Sequence, residues 1–156
     1  MSSQDLAGWN AAGRSDRWTP PPRDARADEL GDVTLASGPK LPGTARAVVH
    51  DWLDGRASAG LLSDAQLLVS ELATNSFLHA EDSHGERVRI RGATLNGGIW
   101  FEVADGGGGG AVAPREPSAT GGGFGLHIVD QLASDWGVTH VDGTEVWFVL
   151  AQQAPR

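Results

Sequence analysis

The sequence predicts an α+β fold in which helices pack on one face of a mixed, mainly antiparallel sheet, forming a two-layer sandwich. Three observations predict this class. Apolar residues alternate between strand-like and helix-like spacing in the order β-α-α-β-β-loop-α-β-β. Two turn signals, Asn96-Gly97-Gly98 and Asp142-Gly143, each join two strand-like stretches as a hairpin. Hairpins pair neighbouring strands antiparallel, so two hairpins predict a mainly antiparallel sheet. The helices then pack on one face of that sheet.

The first half of the chain predicts one strand and two helices. Residues 32–36 form a short strand, and Pro42 begins a helix over 43–54. A second helix over 61–80 is about 30 Å long at 1.5 Å per residue. Its predicted core stripe consists of Leu62, Ala65, Val69, Leu72, Ala73, Ser76 and Ala80.

The second half predicts two hairpins and one helix. Residues 87–91 alternate arginine with valine and isoleucine, which indicates a half-buried strand whose basic outer face is solvated. A strand over 99–104 follows the first turn, and a helix covers 126–133. Residues 138–141 and 144–150 form the second hairpin.

The length of 156 residues suits one domain with a tail. We assign residues 31–151 to the domain, residues 1–30 to a disordered N-terminal tail, and 152–156 to a C-terminal tail. Trp9 and Trp18 interrupt the polar N-terminal tail, and they can anchor it on the domain or on a partner.

Composition excludes several classes of protein. The absence of cysteine excludes disulfides, thiolate metal sites and a cysteine nucleophile, and it fits a reducing compartment. A net charge of −8 argues against nucleic acid as the main partner. The sequence contains no apolar run of about 18 residues and no signal-peptide pattern, so we expect a cytoplasmic protein without a membrane partner.

The 22 glycines include two clusters, at 106–110 and 121–125. On composition alone, these glycine clusters would also fit a flexible linker. Lys40 is the only lysine, so a P-loop is excluded, and Leu126 stands where a dinucleotide fingerprint needs its third glycine. A bound phosphate would therefore be held by backbone amides, by a metal ion or by arginine. The second cluster leads into a helix N-terminus, which either binds an anion or simply begins the helix.

Polar side chains on the second helix form a candidate site. Glu71, Asn75 and His79 are spaced four residues apart and lie on one stripe at the edge of the core face. An amide oxygen from Asn75 can ligate Mg²⁺, and Glu71 can accept a hydroxyl proton. The same spacing also fits an ordinary solvated helix edge. Asp105, where a strand meets the first glycine cluster, either caps the loop or accepts a hydrogen bond from a ligand amine.

Three segments together resemble the boxes of the Bergerat-fold (GHKL) ATPases, the superfamily of gyrase B and the histidine kinases. Glu71-Leu-Ala-Thr-Asn75-Ser-Phe-Leu-His79-Ala80 is similar to the N box. Val103-Ala-Asp105-Gly-Gly107-Gly-Gly109 is similar to the first glycine box, and Gly121-Gly-Gly123-Phe-Gly125-Leu126-His-Ile128-Val129 to the second. The resemblance covers residues 31–151.

Within that superfamily the chain resembles the single-domain anti-sigma-factor serine/threonine kinases of actinobacteria. The His79-Ala80 ending of the N box, Trp136-Gly137 and the closing strand over 144–150 are typical of them. The resemblance implies phosphorylation of a Ser or Thr on an anti-sigma-factor antagonist, binding of a sigma factor, and often a homodimer.

The resemblance also implies roles for single residues. Asn75 would ligate Mg²⁺, Glu71 would be the general base, and Asp105 would accept from the adenine amino group of ATP. His79, at the end of the N box, would either lie near the phosphates or simply pack. The glycine-box residues that would close on the base or hold phosphate, beneath a lid over 106–122, are Gly107, Gly109, Gly121, Gly123, Gly125 and Leu126.

The chain departs from this pattern in two respects. The first box contains five consecutive glycines, and the lid has one arginine, Arg115, and no lysine. A non-catalytic regulator that sequesters a partner, with or without nucleotide, therefore stays an alternative. An ATPase module of a sensor kinase that phosphorylates histidine is a further one, although no helix with an acceptor histidine is evident.

Overall fold

The computed structural model describes residues 26–78, 87–95, 97–105, 124–139 and 144–152. These residues form five strands and three helices in the predicted order. The elements are β1 (Arg26–Ala36), α1 (Leu41–Leu53), α2 (Ala59–Leu78), β2 (Arg87–Leu95), β3 (Gly98–Asp105), α3 (Phe124–Leu132), β4 (Asp135–Thr139) and β5 (Thr144–Ala151). No helix in this part of the chain is long and apolar enough to cross a membrane.

The five strands form one sheet in the order β1-β2-β3-β5-β4. The predicted α+β class is confirmed, and every strand pair among the described residues is antiparallel, so this part of the sheet is not mixed. The first predicted hairpin is also confirmed, since Leu95 pairs with Gly98. Its turn contains Gly97 at φ +84°, a conformation that glycine adopts without a steric penalty.

Strand β1 is longer than the sequence predicts. It begins at Arg26, six residues before the predicted strand, and so includes residues 26–30 that we assigned to the tail. The extension pairs with β2 as far as Leu95 through two register shifts. Such shifts break the alternation of apolar and polar residues by which a strand is recognised, so the sequence pattern ends too early.

The helices cover one face of the sheet, which we call the inner face. Trp52 near the end of α1 stacks on Phe101 of β3, with ring centroids 6.5 Å apart. A Cβ on Gly31 would lie 2.3 Å from the Trp52 ring, so β1 needs glycine where the indole crosses it. Helix α2 contacts β3 and β5, and α3 contacts β4. Buried inner-face side chains are Val88, Ile90, Ile99, Phe101, Val103, Trp136, Val138, Val146, Phe148 and Leu150.

The buried stripe of α2 is wider than predicted. Leu68 is fully buried, whereas the predicted core residue Leu62 is half-buried. The difference arises because α2 packs against α1, α3 and the sheet at once, so more of its circumference is covered than one stripe allows. The buried α2 residues are Leu61, Ala65, Leu68, Val69, Ser70, Leu72 and Ala73. The side chains of Ser76 and Ala80 lie outside the described set.

The opposite, outer face carries a buried ion pair that corrects one prediction. Arg91 on β2 lies directly across from Glu102 on β3, and its Nε donates to Glu102 Oε1 at 2.9 Å. The Arg91 side chain is 19% exposed and that of Glu102 only 2%. The prediction of a solvated arginine face is therefore wrong at Arg91, because the ion pair with Glu102 on the neighbouring strand keeps most of the Arg91 side chain buried.

Arg89 on the same strand behaves as predicted, since half of its side chain is exposed. Its Nε donates to Asp32 Oδ1 of β1 at 2.8 Å. This hydrogen bond lowers the pKa of the Asp32 carboxyl, and the charges of Arg89 and Arg91 act in the same direction while desolvation opposes them.

Candidate functional site

The described site residues are considered from one end of the sheet, where β3 ends at Asp105. Antiparallel register places Asp105 beside Val88 and Thr144, and it places Ala36 beside Arg87. The end of β3 therefore lies next to the end of β1 and the beginnings of β2 and β5. We call this end of the sheet the Asp105 end.

Helices α1 and α2 form an antiparallel pair that brings the last turns of α2 to the Asp105 end. Helix α1 follows the end of β1, and at 13 residues it extends about 20 Å along the sheet. Near its far end, Trp52 contacts Gly31 in the middle of β1. The Gln66 side chain of α2 donates to the Arg46 carbonyl of α1 at 3.2 Å, which aligns the two helices at mid-length. Helix α2 therefore returns toward the end at which α1 began.

Glu71 and Asn75 lie on this returning part of α2. Both are half-buried, and they are one helical turn apart on the same side of the helix. Their neighbours Leu72 and Ala73 are buried in the core, so the polar pair lies at the core's edge as the stripe predicts. Within the same turns, Thr74 Oγ1 donates to the Ser70 carbonyl at 2.8 Å, which occupies that hydroxyl within the helix.

Asp105 occupies the last position of β3 and is half-buried. Alternation along β3 puts it on the inner face, together with Phe101 and Val103. Helix α2 contacts β3 on that same face. The carboxylate of Asp105 therefore belongs to the space between the sheet and the helix layer, on the side where Glu71 and Asn75 lie.

Helix α3 includes the described part of the second glycine box. It stops just before β4, which begins beside Val149, far from the Asp105 end. At nine residues it is about 13 Å long, and it contacts α2 and β4. The first turn of α3, which contains no acidic residue, presents backbone N–H groups that have no partner within the helix.

Two of the predicted site residues in the second glycine box, Gly125 and Leu126, belong to the described part of the chain. The predicted start of the helix at Leu126 is two residues late, because α3 begins at Phe124 and includes Gly125 in its first turn. The Leu126 side chain is buried in the core. A ligand would therefore meet the backbone of these two residues rather than a side chain.

The remaining predicted site residues lie outside the described part of the chain. They are His79, Gly107, Gly109, Gly121 and Gly123, together with the lid over 106–122. Their roles stay predictions of the resemblance.

Comparison with known proteins identifies the domain. The profile of the histidine kinase-like ATPase domain matches residues 35–150, which is most of the chain. The chain belongs to this family. No curated protein matches the chain. Membership of the histidine kinase-like ATPase family implies binding of ATP, usually with Mg²⁺.

The donor set at the Asp105 end fits that ligand. Glu71 and Asn75 offer hard oxygen atoms on neighbouring turns, the type that Mg²⁺ prefers when phosphates and waters complete its shell. Among the described residues there is no group of three or more His, Cys, Asp or Glu side chains that could hold a metal ion. Asp105 supplies an acceptor for an amine, and the start of α3 supplies donors for phosphate oxygens.

Proposed function

We propose that this histidine kinase-like ATPase domain is a serine/threonine protein kinase and anti-sigma factor. It would bind ATP with Mg²⁺ at the Asp105 end of the sheet, phosphorylate an anti-sigma-factor antagonist, and bind a sigma factor, alone or as a homodimer. The observation that supports this proposal is the position of half-buried Glu71 and Asn75 at the core's edge on α2, which packs on the sheet face where alternation places Asp105 at the end of β3.

The chemistry of these side chains supports phosphoryl transfer. Bound ATP with Mg²⁺ would supply an activated γ-phosphoryl group. Asn75 would contribute its amide oxygen to the metal, and Asp105 would fix the adenine ring by accepting from its amino group. Glu71, one turn before Asn75, would accept the proton of the attacking hydroxyl. Backbone N–H groups at the start of α3 would hold phosphate oxygens without a lysine.

One observation favours a second candidate, a nucleotide-dependent regulator without kinase activity. The first glycine box has five consecutive glycines and the lid contains only Arg115 as a cation. Phosphoryl transfer usually uses positive charge to stabilise the transition state. A protein with weak stabilisation of this kind could still bind ATP and a sigma factor.

Replacing the proposed base separates these functions. We expect Glu71→Gln to keep Mg²⁺-dependent ATP binding within a few-fold and to lower phosphoryl transfer by about 10² to 10⁴-fold. The assay incubates the full chain with radiolabelled ATP and cell proteins, and follows label on serine or threonine. Asp64→Asn is the matched control, since it removes a half-buried carboxylate two turns earlier on the same helix and should transfer label normally.

The outcomes assign the function unambiguously. Label transfer by the native chain and by Asp64→Asn, but not by Glu71→Gln, supports the kinase. ATP binding with no transfer by the native chain supports the regulator without kinase activity. Equal transfer by Glu71→Gln and the native chain would rule out Glu71 as the base.

A further inference from the structure

Hydrogen bonds between described residues fasten the C-terminal end of α3 to the sheet. Ser134, two residues after the helix ends at Leu132, donates its backbone N–H to the Val149 carbonyl of β5 at 2.9 Å. Its hydroxyl donates to the same carbonyl at 3.0 Å. A further bond joins the helix itself to β4, since Trp136 Nε1 donates to Asp130 Oδ1 at 3.1 Å. These bonds lie in the last turn of α3 or just beyond it, at the opposite end from its first turn.

Asp130 is an unfavourable residue for the last turn of a helix. The helix macrodipole places partial negative charge at this end, so a carboxylate there is repelled and a basic side chain would be preferred. The last turn of α3 contains no basic residue. Asp130 is also exposed, so it adds little to the apolar core. The stability of the helix therefore does not account for this carboxylate, whereas its hydrogen bond with the Trp136 indole does.

The Trp136 side chain gives this hydrogen bond a fixed position relative to the sheet. Trp136 lies directly across from Phe148 in the pairing of β4 with β5. The Phe148 ring in turn stacks on Phe101 of β3, with ring centroids 5.6 Å apart. The indole therefore belongs to a row of aromatic side chains on the inner face that three paired strands hold in register.

These hydrogen bonds fix what apolar packing leaves adjustable. Leu126 and Val129 attach α3 to the core, but apolar contact has little directional preference, so it permits a short helix to turn or slide. A hydrogen bond requires its donor and acceptor to stay within about 2.7–3.2 Å. The bonds at Asp130 and Ser134 therefore set the rotation of α3 and its position along its axis. Because the helix has only nine residues, they also set where its first-turn N–H groups lie.

We propose that Asp130 is a positioning residue for the phosphates of ATP. Its hydrogen bond with Trp136, supported by Ser134, holds α3 in the rotation at which the first-turn N–H groups meet phosphate oxygens. Asp130 is six residues after Phe124, about 9 Å along the axis, so it acts through the helix and not by contact with those oxygens. This role rests on the proposed binding of phosphate at the start of α3, and it does not require phosphoryl transfer.

Two ligands of the full chain test this role, since ATP·Mg²⁺ carries phosphates and adenosine does not. Calorimetry measures the Kd of the first, and shifts in the NMR amide spectrum measure the weaker Kd of the second. Asp130→Ala should raise the Kd for ATP·Mg²⁺ about ten-fold, the effect of one hydrogen bond to a charged group, and change that for adenosine by less than about two-fold. Asp130→Asn keeps a carbonyl oxygen as acceptor, so its Kd for ATP·Mg²⁺ should stay within about three-fold of the native value. The matched control Gln131→Ala, at the neighbouring exposed residue, should bind both ligands normally.

Variants of the other partners in these bonds give an independent check. Trp136→Phe removes the donor, so it should weaken ATP binding as Asp130→Ala does, and the double variant should bind no more weakly than either. If these variants unfold, Ser134→Ala provides the test. It removes one hydrogen bond beside Asp130 and should raise the Kd for ATP·Mg²⁺ about three-fold, with that for adenosine unchanged.

An unchanged Kd for ATP·Mg²⁺ in Asp130→Ala, or in Ser134→Ala where that variant is used, would overturn the positioning role. An equal loss of adenosine binding, or an Asp130→Asn variant as weak as Asp130→Ala, would also overturn it. Each of these results leaves ATP binding and the proposed kinase intact. A native chain that does not bind ATP would refute the ligand and the role together, whereas ATP binding without label transfer would refute only the kinase.

Discussion

Removing the cation of the buried pair on the outer face should destabilise the protein strongly. In Arg91→Met the Glu102 carboxylate, 2% exposed, loses the guanidinium that compensates its burial. Breaking a buried ion pair by removing one partner costs about 3–5 kcal/mol. Because Arg91 keeps 19% of its side chain exposed, we expect the lower end, about 3 kcal/mol.

A double-mutant cycle isolates the pair. Glu102→Gln should cost about 1 kcal/mol, because the amide oxygen still accepts from Arg91 and the arginine can reach solvent. The double variant Arg91→Met/Glu102→Gln should be more stable than Arg91→Met by about 1–2 kcal/mol, because the buried carboxylate charge is then removed together with the guanidinium. Arg89→Met is the matched control on the same strand, and its half-exposed pair should cost less than about 1 kcal/mol.

Urea unfolding followed by circular dichroism measures these free energies. A loss of about 3 kcal/mol corresponds to a fall in Tm of roughly 6–12 °C for a domain of this size. A cost below about 1 kcal/mol for Arg91→Met, or costs that simply add in the double variant, would show that the pair is solvated like that of Arg89.

Two further substitutions test the packing and the electrostatics of β1. Gly31→Ala should destabilise the protein by about 1–3 kcal/mol in thermal unfolding, because the new methyl group would meet the Trp52 ring at 2.3 Å; a neutral effect would contradict that contact. Asp32 has a lowered pKa in the folded state, so its pairing with Arg89 stabilises the protein above about pH 4 and the effect disappears as pH falls through the lowered pKa. Asp32→Asn should therefore be less stable than the native chain at pH 7 by at most about 1 kcal/mol, and this difference should shrink as pH falls below about 4; a difference that does not change with pH would contradict the pairing.

Much of the fold could be predicted because its signals are local. The Asn96-Gly97 turn fixes Leu95 opposite Gly98, and the same register places Arg91 opposite Glu102. The pairing of Arg91 with Glu102 could therefore be predicted from the position of the turn. The alternation of residue types along β2 does not by itself identify a partner on β3. The extension of β1 to Arg26 could not be predicted from the sequence, because its pairing with β2 contains register shifts that leave no periodic pattern of apolar residues.

The candidate site could likewise be predicted from the sequence only in part. The four-residue spacing of Glu71 and Asn75 on one helix is a property of the local sequence, and the structure places both at the core's edge. Their position on the side of Asp105 depends on the strand register and on the direction of the α1–α2 pair, which long-range packing decides. Residue spacing alone therefore could not distinguish a ligand cleft from a solvated helix edge.

We propose that ATP with Mg²⁺ binds at the Asp105 end of the sheet, with Asn75 at the metal ion and Asp105 at the adenine ring. The most direct test compares the unfolding free energy of the full chain with and without this nucleotide. At a hundred times the Kd, the native chain and the exposed-carboxylate control Asp51→Asn should each gain about 2.7 kcal/mol. Asn75→Ala should lose the Mg²⁺-dependent part of this gain at the same nucleotide concentration. An equal gain in Asn75→Ala, or none in the native chain, would contradict the assigned site.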